Sequence, residues 1–206
     1  SSYRKNLLPT YKQNRRDKRA LQSEEEKVNF EIFFKEFLLG LNKAAKYFPL
    51  IKFPGVEADD IIAYICRTCP SNIWVISSDK DLDLLINDNV SRFSYVTRKE
   101  ITKDNWNEHY EYEIDDHISI KCLMGDSGDD VPGVAGIGPK KAHALVKEYG
   151  TTYDIIASLP IKSKYKHIQS LNEFGANRLL TNYRLMDLLT YCDEALGKDN
   201  CNEIDK

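Results

Sequence analysis

The glycine-rich stretch GVAGIGPKKA, Gly133 to Ala142, limits what this chain can fold into more than any other feature. Gly136-Ile137-Gly138 fits a tight hairpin between two helices, because glycine tolerates φ > 0 and lets backbones approach closely. Pro139 suits the first position of the helix PKKAHALVKEYG. The N–H groups at that helix start would face an anion, and Lys140 and Lys141 add charge that grips phosphate without reading sequence. The pattern predicts a helix-hairpin-helix that holds a DNA backbone; a purely structural helical turn is the competing reading. Directly before it lies MGDSGDD, an acidic turn carrying Asp126 and Asp129 three residues apart.

Upstream, the chain alternates strands and helices. Ser23 with Glu26 forms a capping-box pattern ahead of Phe30, Phe33, Phe34, Phe37, Leu38 and Leu41 at helical spacing. This predicts a long amphipathic helix to Phe48, ended by Pro49, with its aromatic stripe in the core. LIKF from Leu50 is a short strand candidate, and VEADDIIAYICRTC reads as a helix. NIWVISSD and VSRFSYVT read as strands around a short helix, DLDLLIN. From about Trp106 the pattern is helical to Leu189, and GKDNCNEIDK reads as a polar tail. The expected organisation is therefore an α/β region over 1–105, an all-helical region over 106–191 and a tail over 192–206.

Seven carboxylates fall at element ends. Glu57, Asp59 and Asp60 stand at a strand-to-helix junction, and the three-residue spacing of Glu57 and Asp60 puts them on one helix face. Asp79 and Asp81 follow an apolar run, at the carboxyl end of a strand, where open α/β sheets bind ligands. Asp126 and Asp129 are the third cluster. Convergence of so many acids calls for cations, and oxygen-only ligation suits Mg²⁺ or Mn²⁺. Two such ions about 4 Å apart would clamp both oxygens of a phosphodiester displacement. Helix capping is the alternative role for any single acid; Asp83, Asp88, Asp115 and Asp116 are assigned to it.

Net charge is −3, unevenly divided: residues 1–20 carry seven Lys/Arg against Asp17 alone. A basic arm on an acidic body suits phosphate contact, with a solvated tail as the alternative. Five cysteines at irregular spacing argue against a disulfide framework and for reduced thiols in a cytoplasm. No apolar run reaches the roughly 20 residues of a membrane span.

Together, YKQNR, GVEADD, ISSDKD and MGDSGDDVPGVAGIGPKKA resemble the 5′-nuclease or flap endonuclease family, above all its compact bacteriophage members and the 5′-nuclease domain of bacterial DNA polymerase I. The likeness runs in order to about Tyr191. It implies a PIN-like, sheet-centred nuclease core with a helical arch, then a helix-hairpin-helix. The implied activity is structure-specific, sequence-independent hydrolysis of DNA at 5′ flaps and 5′ ends, by a monomer in the cytoplasm (the host's, for a phage protein). A non-catalytic DNA-binding module is the alternative. By the resemblance, Glu57, Asp59, Asp60, Asp79, Asp81, Asp126 and Asp129 hold metal, and Lys12 and Arg15 grip the scissile phosphate. Gly133, Gly136, Gly138, Lys140 and Lys141 bind DNA, with K⁺ on hairpin carbonyls. The family also has two metal-binding aspartates ahead of the arch; on this alignment both would precede Ser1.

Overall fold

The computed structural model describes residues 2–206. Three helices come first: α1 (Ser2–Leu7), α2 (Gln13–Ala20) and α3 (Glu24–Ala44). The capping box forms as the sequence predicts: Glu26 N–H donates to Ser23 Oγ, and Ser23 N–H donates to the Glu26 carboxylate. The aromatic stripe does not form a core. Phe33 is 63% exposed, and Phe30, Phe34 and Phe37 are also open, stacked on one another along the helix. Apolar Val28, Ile32 and Leu39 lie on other sides of α3 and are exposed too. Periodicity marks a face for burial, but among the described residues no element covers it. LIKF is likewise not a strand: Leu50–Phe53 has no ladder and is exposed for the most part.

Helix α4 (Ala58–Thr68) follows, then β1 (Ile73–Ile76), a 3-10 turn (Lys80–Leu85), β2 (Val90–Ser94) and β3 (Lys99–Ile101). The sheet order is β1-β2-β3, with β1 parallel and β3 antiparallel to β2. A parallel pair needs a crossover, and the 3-10 turn supplies a short one. Ile61 and Tyr64 of α4 pack with Val75, Leu82, Leu85 and Val90, so among the described residues this core covers one face of the sheet. Trp74 and Ile76 of β1 stay at least half exposed.

Two 3-10 turns (Trp106–Glu108 and Ile114–Asp116) lead into α5 (His117–Met124), α6 (Pro139–Tyr149), α7 (Thr152–Ser158) and α8 (Lys166–Met186). Helix α8 is kinked at Gly175, where φ is +78°. Val134, Ile137, Ala142, Leu145, Ile155, Leu171 and Leu179 form the second core. The stretch expected as a polar tail is instead structured. Helix α9 (Leu188–Leu196) and α10 (Lys198–Ile204) return to the first core, where Leu188, Cys192, Leu196 and Ile204 pack against α4 residues. The polar letters of 197–206 concealed two apolar contacts, Cys201 and Ile204, one turn apart.

Candidate functional site

The basic arm docks on the acidic turn. Lys12 N–H donates to the Asp129 carbonyl (2.9 Å), and Asn14 N–H donates to Asp130 Oδ2 (2.8 Å). Both sides of this junction hold left-handed backbone at non-glycine residues, Lys12 (φ 55°) and Asp130 (φ 58°). Such conformations cost on the order of 1 kcal/mol each and persist where contacts over-determine them. The junction aims side chains as well. Lys12 donates to Glu57, Arg15 pairs with Asp129 Oδ1 (2.7 Å), and the Tyr11 hydroxyl donates to Asp129 Oδ2 (2.8 Å).

Between arm, α4, the 3-10 turn and the acidic turn lies a cavity of about 30 Å³. Five carboxylates line it: Glu57, Asp59, Asp81, Asp126 and Asp129. The acidic turn is shaped by Asp126 itself, whose Oδ1 accepts from Gly128 and Asp129 N–H. Close approach then closes the loop. A side chain on Gly133 would put its Cβ 1.9 Å from the Met124 carbonyl oxygen, so the chain passes there only as glycine.

Two expected site residues stand apart. Asp60 points away from the cavity and is buried, and both its oxygens accept from Arg4 (2.8 and 2.7 Å). The spacing argument placed Asp60 with Glu57. However, Glu57 is the N-cap of α4, with extended backbone (φ −83°, ψ 146°), so helical spacing cannot be counted from it. Asp59 takes the cavity position instead. Asp79 caps the 3-10 turn, its Oδ1 accepting from Asp81 N–H (3.0 Å). It acts on the site through charge: burial first, then the Asp79 carboxylate, pushes Asp59 up to about 6. Burial raises Glu57 as well, but hydrogen bonding and charge from Lys12, with Arg4 behind it, outweigh burial and hold Glu57 below the ordinary range.

Arg4, Tyr11 and Lys121 were not singled out in the sequence. Lys121 of α5 donates to Asp81 and lies 3.8 Å from Asp126, tying two acidic clusters together. Its signal was a lone charge in the apolar run HISIKCLM, five residues before Asp126. The site's cations thus come from the chain itself. Among the described residues no three acidic, His or Cys side chains already converge as a metal-ligand set. The donors nevertheless fit hard cations. All are carboxylate oxygens around one cavity, and Asp59 bears an unfavourable charge that a cation there would relieve.

The hairpin lies beyond this cavity. Gly136 takes φ +76° and Gly138 caps α6. Lys141 folds back so that its Nζ donates to the Gly136 carbonyl (2.8 Å), where a monovalent cation was expected, while Lys140 is exposed.

Comparison with known proteins covers nearly all of the chain. Residues 1–111 match the family model described as 5′-3′ exonuclease, N-terminal resolvase-like domain, and residues 113–203 match that of 5′-3′ exonuclease, C-terminal SAM fold. The flap endonuclease of Escherichia phage T5 is 40% identical over all of this chain and 72% of its own length. A DNA polymerase I of Rhizobium leguminosarum is 34% identical over 85% of this chain and 16% of its own. A 5′-3′ exonuclease of Aquifex aeolicus is 30% identical over 74% and 52%. The phage T5 protein co-crystallised with metal ions superposes with a TM-score of 0.95, covering 99% of this chain and 79% of that one at 40% identity. A complex of the phage T5 flap endonuclease with DNA and metal ions gives 0.93 at 39% identity, covering 99% and 77%.

Proposed function

Because the chain belongs to the 5′-3′ exonuclease family, we propose that it cleaves DNA phosphodiesters at 5′ flaps and 5′ ends, as a monomer, with Mg²⁺ or Mn²⁺ held in the carboxylate-lined cavity. The observation that carries this reading is the seating of the basic arm on that cavity. Glu57, Asp59, Asp81, Asp126 and Asp129 line one small space, and Lys12 and Arg15 reach its carboxylates.

Divalent cations bound there would activate water and neutralise phosphate charge. The chain's own residues do the rest. Glu57, Asp59, Asp81, Asp126 and Asp129 supply the ligand oxygens, and Asp79 deepens the negative potential behind Asp59. Lys12 and Arg15 direct their charge at Glu57 and Asp129. Released from these partners, the ammonium and guanidinium would face the scissile phosphate and stabilise charge developing there, the kind of term that often dominates catalysis. Tyr11 fixes Asp129, and Lys121 sets the separation of Asp81 from Asp126. The hairpin and Lys140 hold duplex backbone away from the cut, without reading sequence. Five free thiols suit a reducing compartment.

The test is cleavage of a 5′-flap DNA by the protein with Mg²⁺ or Mn²⁺, beside Asp126→Asn. Metal-dependent product from the unmutated protein, lost in the variant, supports the proposal. DNA binding that responds to metal without any product points to a binding module instead.

A further inference from the structure

We infer that Asn182 of α8 is a positioning residue for the carboxylate-lined cavity: its amide ties together the two ends of the acidic turn and so sets where Asp126 and Asp129 stand. The inference rests on the metal-binding reading above. It starts from a residue out of keeping with its surroundings. Asn182 is 2% exposed, on a helix whose other buried positions include Leu171, Leu179, Leu185 and Met186. Asparagine is a poor helix former, and a buried amide costs free energy unless its polar atoms are partnered. Here both N–H groups of the amide are used. Asn182 Nδ2 donates to the Cys122 carbonyl (2.9 Å) and to the Pro132 carbonyl (2.8 Å). Two acceptors face one side-chain atom, which fixes the orientation of the amide, because its oxygen could bond to neither.

Both carbonyls belong to the frame of the acidic turn. Cys122 lies in the last turn of α5, where helix carbonyls have no partner within the helix. A continuing helix would bring Asp126 N–H to Cys122, but Asp126 N–H donates to the Val131 carbonyl instead (2.8 Å). Asn182 supplies the donor that the helix gives up. Pro132 stands on the other leg, one residue past the Asp126–Val131 bridge that closes the turn. The same amide thus holds the chain entering the turn and the chain leaving it. Between those two points lie Asp126 and Asp129, and next to the first is Lys121, which donates to Asp81. One turn further along α8, the Leu185 carbonyl accepts from Arg4 (2.9 Å), and Leu185 and Met186 pack with Tyr11 and Val131. One helix therefore carries fixed points for the basic arm and for the acidic turn. Leu185 and Met186 line the cavity, and Asn182 stands a turn behind them, so it acts through the backbone it holds. Groups that orient metal-binding side chains in this way are worth about 10–100-fold in metal affinity.

The experiment compares the unmutated protein with Asn182→Leu, Asn182→Asp and Leu171→Ala. Leucine fills a similar space without a donor, and aspartate keeps the outline of the side chain but cannot offer two N–H groups. Leu171→Ala removes core packing on the same helix and touches neither carbonyl. Melting midpoints are measured first, and Mn²⁺ affinity is then read by titration calorimetry below all of them. Both Asn182 variants should bind Mn²⁺ at least about tenfold more weakly than the unmutated protein. On 5′-flap DNA, the Mn²⁺ concentration for half-maximal cleavage should rise by a similar factor, with most of kcat regained at saturating Mn²⁺. Leu171→Ala should melt lower and bind Mn²⁺ normally. If Asn182→Leu does not fold, Asn182→Asp carries the same expectation. Normal Mn²⁺ affinity in a folded Asn182 variant overturns the inference. An equal loss in Leu171→Ala does so too, because the effect would then be one of stability alone. Failure of both Asn182 variants to fold has the same force, since the two bonds would then hold up the fold and not the site. An unmutated protein that binds no Mn²⁺ overturns the metal-binding reading, and this inference with it.

Discussion

Asp60→Asn should destabilise the fold far more than it changes metal binding. Arg4 and Asp60 are 3% and 1% exposed, and the two form a two-pronged ion pair across α1 and α4. The substitution leaves Arg4 charged and buried, with the Leu185 carbonyl (2.9 Å) still accepting from Nε but the charge of its bidentate partner gone. Breaking a buried pair on one side costs about 3–5 kcal/mol. At about 2–4 °C per kcal/mol for a chain of this size, the melting midpoint should fall by about 6–20 °C in metal-free buffer. Removing both partners with Arg4→Met/Asp60→Leu should restore most of that loss, since apolar replacements of a buried pair are often neutral. Calorimetric melting gives the midpoints, and Mn²⁺ titration of the folded proteins gives the affinities. The double variant should bind Mn²⁺ like the parent. An Asp60→Asn protein that melts normally but loses Mn²⁺ would refute the argument and return Asp60 to the ligand set.

Asp59→Asn should do the reverse. Its carboxyl sits at about 6 in the folded state, above its unfolded value, so the ionised form is a burden at pH 7 that lessens as pH falls. Discounted for partial exposure, the variant should gain about 1–2 kcal/mol in urea melts without metal at pH 7, and lose Mn²⁺ binding. Burial pushes His117 down to about 4, with Lys121 adding to the effect, so below about pH 6.5 the unfolded chain takes up protons that the folded ring refuses. That stability is present above pH 6.5 and is lost towards pH 4. Between pH 7 and pH 5 the parent should lose about 2 kcal/mol that His117→Phe retains, read as the difference between their urea midpoints. Lys121→Met removes the cation shared by Asp81 and Asp126. Mn²⁺ should bind about tenfold more tightly by calorimetry, because a competing positive charge is gone; weaker binding would show that the spacing Lys121 imposes on the two acids outweighs its competing charge.

What the sequence disclosed depended on how locally each feature is determined. The capping box, the helix after Pro139 and the acidic turn rest on neighbours within a few residues, and all three formed as read. The grouping of Glu57, Asp59, Asp81, Asp126 and Asp129 was readable because each sits at an element end, where a fold can bring separate segments together. The failures share a different cause. Asp60 needed knowledge that α4 begins after Glu57; one residue of phase, about 100° around a helix, exchanges a cavity position for a core position. Lys121 and Arg4 looked like ordinary basic residues because their partners lie 40 and 56 positions away. The phenylalanines of α3 fail in a third way. Their spacing correctly gave a helix, but a hydrophobic stripe states only that one side is apolar, not that another element will cover it. Burial is a property of pairs of surfaces, so a sequence pattern on one helix settles half of the question, and the other half lies wherever the complementary surface is.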